Sequence, residues 1–318
     1  MKTVVFLDRD TFPKKILIPK LKFKHNWKNY RFTEPGQVIQ RIKNANIIVT
    51  NKTKLSATAL RAAKSLELIA ITATGTNIVD LNFCRKNNIS LCNLRDYASI
   101  SVAEHVFAIT LNLIKQIKGL EKDIQTDIWQ KRKVFALLNR SIGDLNGKTI
   151  GIIGKGAIGK QVKKISKAFD MKASFFSARD FKRSDLINFL SKCDILTIHC
   201  PLEKNTLNLI TFKELKLMKK TSIIINTARG GIINEHDLVA AIKKNIIAGA
   251  GIDVATTEPP KKNHPYYNII DKPNFIWTPH TAWASNATLN NAVNQLINNI
   301  NSFYLSLIHI SEPTRLST

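Results

Sequence analysis

Apolar residues recur along this chain in two alternating rhythms. Short runs rich in Ile, Val and Leu, at residues 4–7, 47–50, 68–72 and 89–91, have the length of buried strands. Between them, residues 35–44, 56–65 and 79–87 carry apolar positions at helical spacing. This alternation predicts βαβ units and a parallel sheet. A longer apolar-periodic helix is predicted over 101–118. After a polar stretch with Gly143 and Gly147, the alternation resumes with strands at 149–153, 172–176, 194–198, 222–226, 248–252 and 274–277. Helical segments fill the first four of those gaps, and six strands in this order predict a doubly wound sheet. A final amphipathic helix over 288–303 lines up Leu289, Val293, Leu296, Ile297 and Ile300. No internal repeat or low-complexity tract interrupts the pattern.

Length and composition narrow the class. The chain has 318 residues, room for about two domains. With 22% charged residues and no run approaching the roughly 20 apolar residues that span a bilayer, disordered and transmembrane classes are excluded. Met1 leads straight into Lys2-Thr3-Val4 without an apolar signal core. Cys84, Cys92, Cys193 and Cys200 show neither Cys-x-x-Cys spacing nor a His ladder, so a reduced cytoplasmic protein without a metal centre or disulfides is expected. The net charge of +25 suggests a polyanion partner when taken alone. However, Lys outnumbers Arg 36 to 12 and Ile outnumbers Val 42 to 12, a texture of genomic base-composition drift that loads the surface with lysine. Phosphate readers favour Arg forks, and the basic stretches 14–28 and 155–172 match no nucleic-acid module. No nucleic-acid or membrane partner is expected. Residues 305–318 read as the translation of a sequencing-library adapter, and no function is assigned to them.

The chemistry starts at Gly154-Lys155-Gly156-Ala157-Ile158-Gly159, which follows a predicted strand and opens a predicted helix. Glycines so placed permit a tight turn, close approach of backbone to a pyrophosphate and close helix–sheet packing. The same residues nearly spell a phosphate loop, but Gln161 stands where a magnesium-binding Ser or Thr is needed. At the end of the second strand, where an acid would bond the adenine ribose, stands Ser177, followed by Arg179, Lys182 and Arg183. That favours NADP over NAD; a longer strand would instead make Asp180 the acid. A further motif, Asp8-Arg9-Asp10, mimics the aspartyl-phosphate motif of haloacid-type phosphatases. No later paired acidic motif is present to hold magnesium.

Three later segments sit at strand ends, where doubly wound sheets place ligands: Asn226 to Gly230, Gly251 to Pro259, and Thr278 to Trp283. Adding a hydride to a carbonyl requires a hydride donor, a cation to polarise the carbonyl, and a proton donor for the incipient alkoxide. Arg229 offers a planar fork, His280 a general acid, and Glu258 a carboxylate to orient the imidazole. His199 reads as structural or cofactor-lining, and His25, His105 and His264 as structural. Trp283 reads as pocket wall, and Lys52 as a solvated lysine.

The order of Gly-rich turn, Arg, Glu and His, with the phrases at 71–77, 102–105, 199–202 and 280–285, resembles the D-isomer-specific 2-hydroxyacid dehydrogenase family. The likeness is strongest to its glycerate dehydrogenase (hydroxypyruvate reductase) branch and spans about residues 3–304. It implies a two-lobed α/β protein, a Rossmann dinucleotide-binding domain (99–284) inserted in a flavodoxin-like substrate-binding domain (1–98 plus 285–304). Chain crossovers near 97–101 and 280–285 would suit hinge closure. The resemblance implies that Arg229, Glu258 and His280 are catalytic and that the N–H groups of Thr74 and Gly75 hold the substrate carboxylate together with Arg229. It implies cofactor contacts from Gly154, Gly156, Ile158, Gly159, Ser177, Arg179, Pro201, Thr206, Thr227, Ala228, Asp253 and His280, with no metal. The implied reaction is hydride transfer between NAD(P)H and hydroxypyruvate or glyoxylate, giving D-glycerate or glycolate, in a homodimer. Phosphoglycerate or another D-2-hydroxyacid dehydrogenase is the alternative within the class, and a dinucleotide-sensing corepressor the alternative outside it.

Overall fold

The computed structural model describes residues 1–305 and divides into two compact units, Met1–Tyr97 with the chain from Ser285, and Ala98–Ala284. Of the adapter-like tail, residues 306–318 lie outside the described residues. No described helix is long and apolar enough to cross a membrane.

In the first unit, β1 (Lys2–Phe6), β2 (His25–Asn29), β3 (Ile47–Thr50), β4 (Leu68–Ile71) and β5 (Ser90–Cys92) form one parallel sheet in the order β2-β1-β3-β4-β5. This is the flavodoxin-like order. Its helices are α1 (Val38–Ile42), α2 (Ala57–Leu60), α3 (Leu81–Lys86) and the C-terminal helix Asn286–Tyr304. Ser56, Asp80 and Ser285 cap the last three by accepting N–H bonds from Ala59, Phe83 and Thr288. β3 and β4 are buried throughout, which explains their unbroken apolar runs. β2 was not anticipated: it is a half-exposed edge strand, and its solvent-facing Asn and Lys positions hide the apolar alternation. The helix expected over 56–65 stops after Leu60, because Ala62, Ala63 and Leu66 bond three residues back in successive tight turns. Asp8 is not poised as a nucleophile. It is buried and accepts bonds from the N–H groups of Asn51, Lys52 and Thr53 and from the hydroxyls of Thr50 and Thr53, at 2.8–3.0 Å.

The second unit opens with α4 (Ser99–Ile114), α5 (Ile117–Gln125) and α6 (Ile128–Arg132). The single helix expected over 101–118 breaks at Gln116, whose φ of 58° lies in the left-handed region. The sheet follows: β6 (Thr149–Ile153), β7 (Lys172–Phe176), β8 (Ile195–Ile198), β9 (Ile223–Asn226), β10 (Gly249–Ile252) and β11 (Phe275–Trp277), all parallel, in the order β11-β10-β9-β8-β6-β7. α7 (Ala157–Ala168), α8 (Arg183–Lys192), α9 (Phe212–Leu215) and α10 (Glu235–Lys243) occupy the first four gaps. Alternate strand residues serve opposite faces: Ile150, Ile152, Ile195 and Ile225 pack with Val106, Phe107 and Ile109 of α4, while Ile153, Leu196, Ile198 and Ile224 pack with Leu186 and Leu238. Strand order reverses around β6, so the carboxyl ends of β6 and β8 flank a crevice position suited to a ligand.

α5 is pinned by a charged clamp. Asp123 is buried and accepts two bonds from Arg140, at 2.6 and 2.7 Å, and one from Asn139 at 2.9 Å. Gly119 makes room, since a Cβ there would fall 2.6 Å from Arg140 Nη1. The Arg140 and Asn139 bonds hold the Asp123 carboxyl down at about 2. A depressed carboxyl stabilises the fold above its unfolded range near pH ~3.9 and loses that contribution as pH falls toward 2. The thermal midpoint of the native chain should therefore drop more steeply between pH 4 and pH 2 than that of Asp123→Asn; parallel curves in differential scanning calorimetry would refute the clamp.

Candidate active site

The Gly-rich turn has the geometry its composition requires. Gly154 leaves β6 at a φ of +107°, and a Cβ there would sit 2.6 Å from the His199 carbonyl oxygen. At Gly159 a Cβ would fall 2.2 Å from the Gly154 oxygen, so helix α7 approaches the strand closely. Gly156, the N-cap of the twelve-residue α7, faces open space, with nothing within 4 Å of a Cβ. Anionic groups are favoured there by unpaired amides and the helix dipole. Ile158 is half-buried against the core. Beside this turn, His199 and Thr227 directly follow the register pair Ile198 and Asn226 on β8 and β9. His199 Nδ1 and Thr227 Oγ1 are both buried and lack a hydrogen-bond partner among the described residues. Burial pushes the His199 imidazole down to about 3, so it stays neutral. Open backbone over Gly156 and two unmet buried polar atoms fit a dinucleotide lying across this edge.

β7 ends at Phe176, which puts Ser177 at its carboxyl end and leaves Asp180 four residues beyond, so the longer strand is not formed. Arg179 is exposed and makes no ion pair among the described residues. Asn205 Nδ2 donates to the Ala178 and Arg179 carbonyls, tying this loop to the turn that follows β8. Two expectations change here. Arg183 is engaged with the buried Glu214 and is not available beside Arg179. Thr206 is buried, and its hydroxyl closes its own turn by donating to Pro201 O at 2.8 Å and accepting from Glu203 N at 2.7 Å. Pro201 is exposed at the start of that turn.

Arg229 projects from a turn built by Asn226, whose side chain accepts from Ala228 N at 3.0 Å and donates to Arg229 O at 2.9 Å. The guanidinium is exposed and bonds the Ala228 carbonyl at 2.6 Å. His280 Nδ1 lies 2.6 Å from Glu258 Oε2, with both side chains only partly exposed. They line a cavity of about 450 Å³ with Pro259, Tyr267, Trp277 and Pro279. His280 has a φ of 56°, in the left-handed region that few non-glycine residues adopt. The turn around it is held by Asp253, 1% exposed, which accepts from Thr278 Oγ1 at 2.5 Å and from the N–H groups of Thr281 and Ala282 at 2.9 Å. Asp253, expected beside the nicotinamide carboxamide, thus gives its oxygens to the His280 turn. His105, read from sequence as structural, joins this arrangement, its Nε2 lying 3.0 Å from Thr278 Oγ1. Only the fold could reveal that link, because 173 residues separate the two.

In the first unit, Thr74 and Gly75 follow β4, and their N–H groups meet no acceptor among the described residues. Asn93 Nδ2 steadies the loop through the Thr74 carbonyl at 2.7 Å.

Residues 107–282 match the family model for the NAD-binding domain of the D-isomer specific 2-hydroxyacid dehydrogenases. Glycerate dehydrogenase of Methylorubrum extorquens is 38% identical over 309 residues, covering 95% of this chain and 96% of that protein. Hydroxypyruvate reductase of Blautia hydrogenotrophica is 30% identical over 279 residues, covering 85% and 86%. Among solved structures, the D-lactate dehydrogenase of Aquifex aeolicus, complexed with NAD and lactic acid, superposes with a TM-score of 0.79 at 27% identity, covering 95% of this chain and 96% of that one.

Proposed function

This chain belongs to the D-isomer specific 2-hydroxyacid dehydrogenase family, and on that footing we propose that it reduces hydroxypyruvate or glyoxylate to D-glycerate or glycolate. The observation that carries the reading is the 2.6 Å pairing of His280 with Glu258 at the strand-end edge that also bears Arg229. A bound nicotinamide dinucleotide supplies the hydride. Arg229 binds the carboxylate of the 2-oxo acid through its fork and polarises the adjacent carbonyl. As the carbonyl carbon gains the hydride, His280 Nε2 gives its proton to the carbonyl oxygen and recovers one from solvent. Glu258, on Nδ1, fixes the orientation of the ring so that Nε2 faces the substrate.

The cofactor reading is NADPH before NADH. Its support is the combination of Ser177, which carries no negative charge to repel a 2′-phosphate, with an exposed Arg179 that makes no ion pair among the described residues. The diphosphate would lie over Gly154, Gly156 and Gly159, with Thr227 and Ala228 beside the nicotinamide half. Four free cysteines support a reducing, cytoplasmic setting. A homodimer is supported by an apolar surface on one segment, where Trp129 and Val134 are exposed and Phe135 and Leu138 are 98% and 84% exposed. A second copy of the same segment would cover them in an isologous contact.

Three outcomes test this reading. Glu258→Gln should move the alkaline limb of the reduction pH–rate profile to lower pH, because the imidazolium loses its carboxylate; an unmoved limb would contradict the acid pair. Arg179→Ala should raise the NADPH Kd at least about tenfold while changing the NADH Kd far less, as expected for loss of a charge-assisted contact; equal losses would refute the 2′-phosphate contact. Light scattering should give a dimer mass that Phe135→Asp with Leu138→Asp reduces to that of a monomer. A native chain that is already monomeric would exclude the dimer.

A further inference from the structure

A buried carboxylate that the chemistry above does not use holds the segment bearing Glu258 from behind. Glu235, at the start of α10, is 8% exposed. Its Oε1 accepts the Thr256 N–H at 2.7 Å, and its Oε2 accepts the Thr256 hydroxyl at 2.8 Å. His264 Nε2 lies 2.9 Å from the same Oε2. That imidazole is itself buried and stacked on Trp277, with ring centroids 5.2 Å apart. Its Nδ1 accepts from Tyr266 N at 3.4 Å, while its Nε2, although close to Glu235, makes no hydrogen bond among the described residues.

The opposite side of the same peptide is equally confined. A Cβ at Gly230 would fall 2.1 Å from the Ala255 carbonyl carbon and 2.3 Å from Thr256 N, so the backbone beside Arg229 lies directly against the Ala255–Thr256 peptide. Ala255 N donates to Glu258 Oε1 at 3.0 Å, while the other oxygen of Glu258 meets His280. A glutamate in a first helical turn ordinarily serves its own helix. Here both oxygens reach instead to Thr256, 21 residues away.

We propose that Glu235, through its two bonds to Thr256, is a positioning residue that presses the Ala255–Thr256 peptide against Gly230 and so sets Glu258 against His280 in register with Arg229. This rests on the roles proposed above for Arg229, Glu258 and His280. Glu235 faces His264, Thr256 and the Tyr266 phenol, which burial and then Glu235 push well up. Glu258 and His280 face each other, with Asp253 and Tyr267 lining the same cavity.

The experiment compares pH–rate profiles for hydroxypyruvate reduction by the native enzyme, Glu258→Gln, Glu235→Ala and Thr256→Val, with dinucleotide affinity followed by NAD(P)H fluorescence. Glu235→Ala should shift the alkaline limb in the same direction as Glu258→Gln and lower kcat by about ten- to a hundredfold, as expected for a misplaced catalytic group, while leaving the dinucleotide Kd within about twofold. Thr256→Val, which loses one of the two bonds, should fall between Glu235→Ala and the native enzyme. A moved profile in Glu258→Gln with native profiles in both Glu235→Ala and Thr256→Val overturns the positioning role of Glu235 alone. An unmoved profile in Glu258→Gln overturns the acid pair and the role of Glu235 with it. If Glu235→Ala does not fold, Thr256→Val decides, and a native profile there refutes the proposal.

Discussion

Backbone amides that emerge from the carboxyl ends of parallel strands have left their ladder and must find acceptors elsewhere. In this protein buried carboxylates meet that demand. Asp8 gathers the N–H groups of Asn51, Lys52 and Thr53, Asp253 those of Thr281 and Ala282, and Glu235 that of Thr256. A buried donor left unmet costs about 1–3 kcal/mol, and a charged acceptor forms the stronger bond. One carboxylate can serve several donors, so a single residue folds an entire strand-end loop. Only 23 acidic residues face 48 basic ones in the chain, yet several of those acids lie inside.

This division of labour shapes the candidate active site. The groups positioned for chemistry reach solvent: Arg229 is exposed, and Glu258 and His280 are partly so. The groups that hold them are buried. His280 adopts a left-handed backbone that costs of order 1–3 kcal/mol unless neighbours enforce it. Asp253 enforces it by binding the residues on either side of that turn, Thr278 before and Thr281 and Ala282 after. The Gly-rich turn uses the opposite device, removal of side chains, to let α7 and β8 crowd against β6. Rigid supports beneath exposed reactive groups are what proton and hydride transfer over short distances require.

In the second unit β6, β8 and β9 were legible as buried, β-branched runs between polar turns, and 149–153 and 172–176 emerged at their expected limits. β2 was not, because an edge strand has no need of an apolar face on both sides. The catalytic candidates could be picked out by residue type and strand-end position. Their supports could not. Nothing local in the sequence marks Glu235 as the partner of Thr256, or His105 as a neighbour of Thr278. Arg183 looked free to assist Arg179 until the fold brought Glu214 to it across 31 residues.

The sequence by itself determined the kind of protein: its apolar periodicity encodes two parallel α/β sheets, and the Gly-rich turn followed by Arg229, Glu258 and His280 carries the likeness to the dehydrogenase family. Those are local properties, set by side-chain type and short spacing. Tertiary structure alone decided which polar groups are satisfied and by whom. Hydrogen-bond partners are chosen by proximity in space, and the buried acids Asp8, Glu235 and Asp253 reach theirs across 21 to 45 residues.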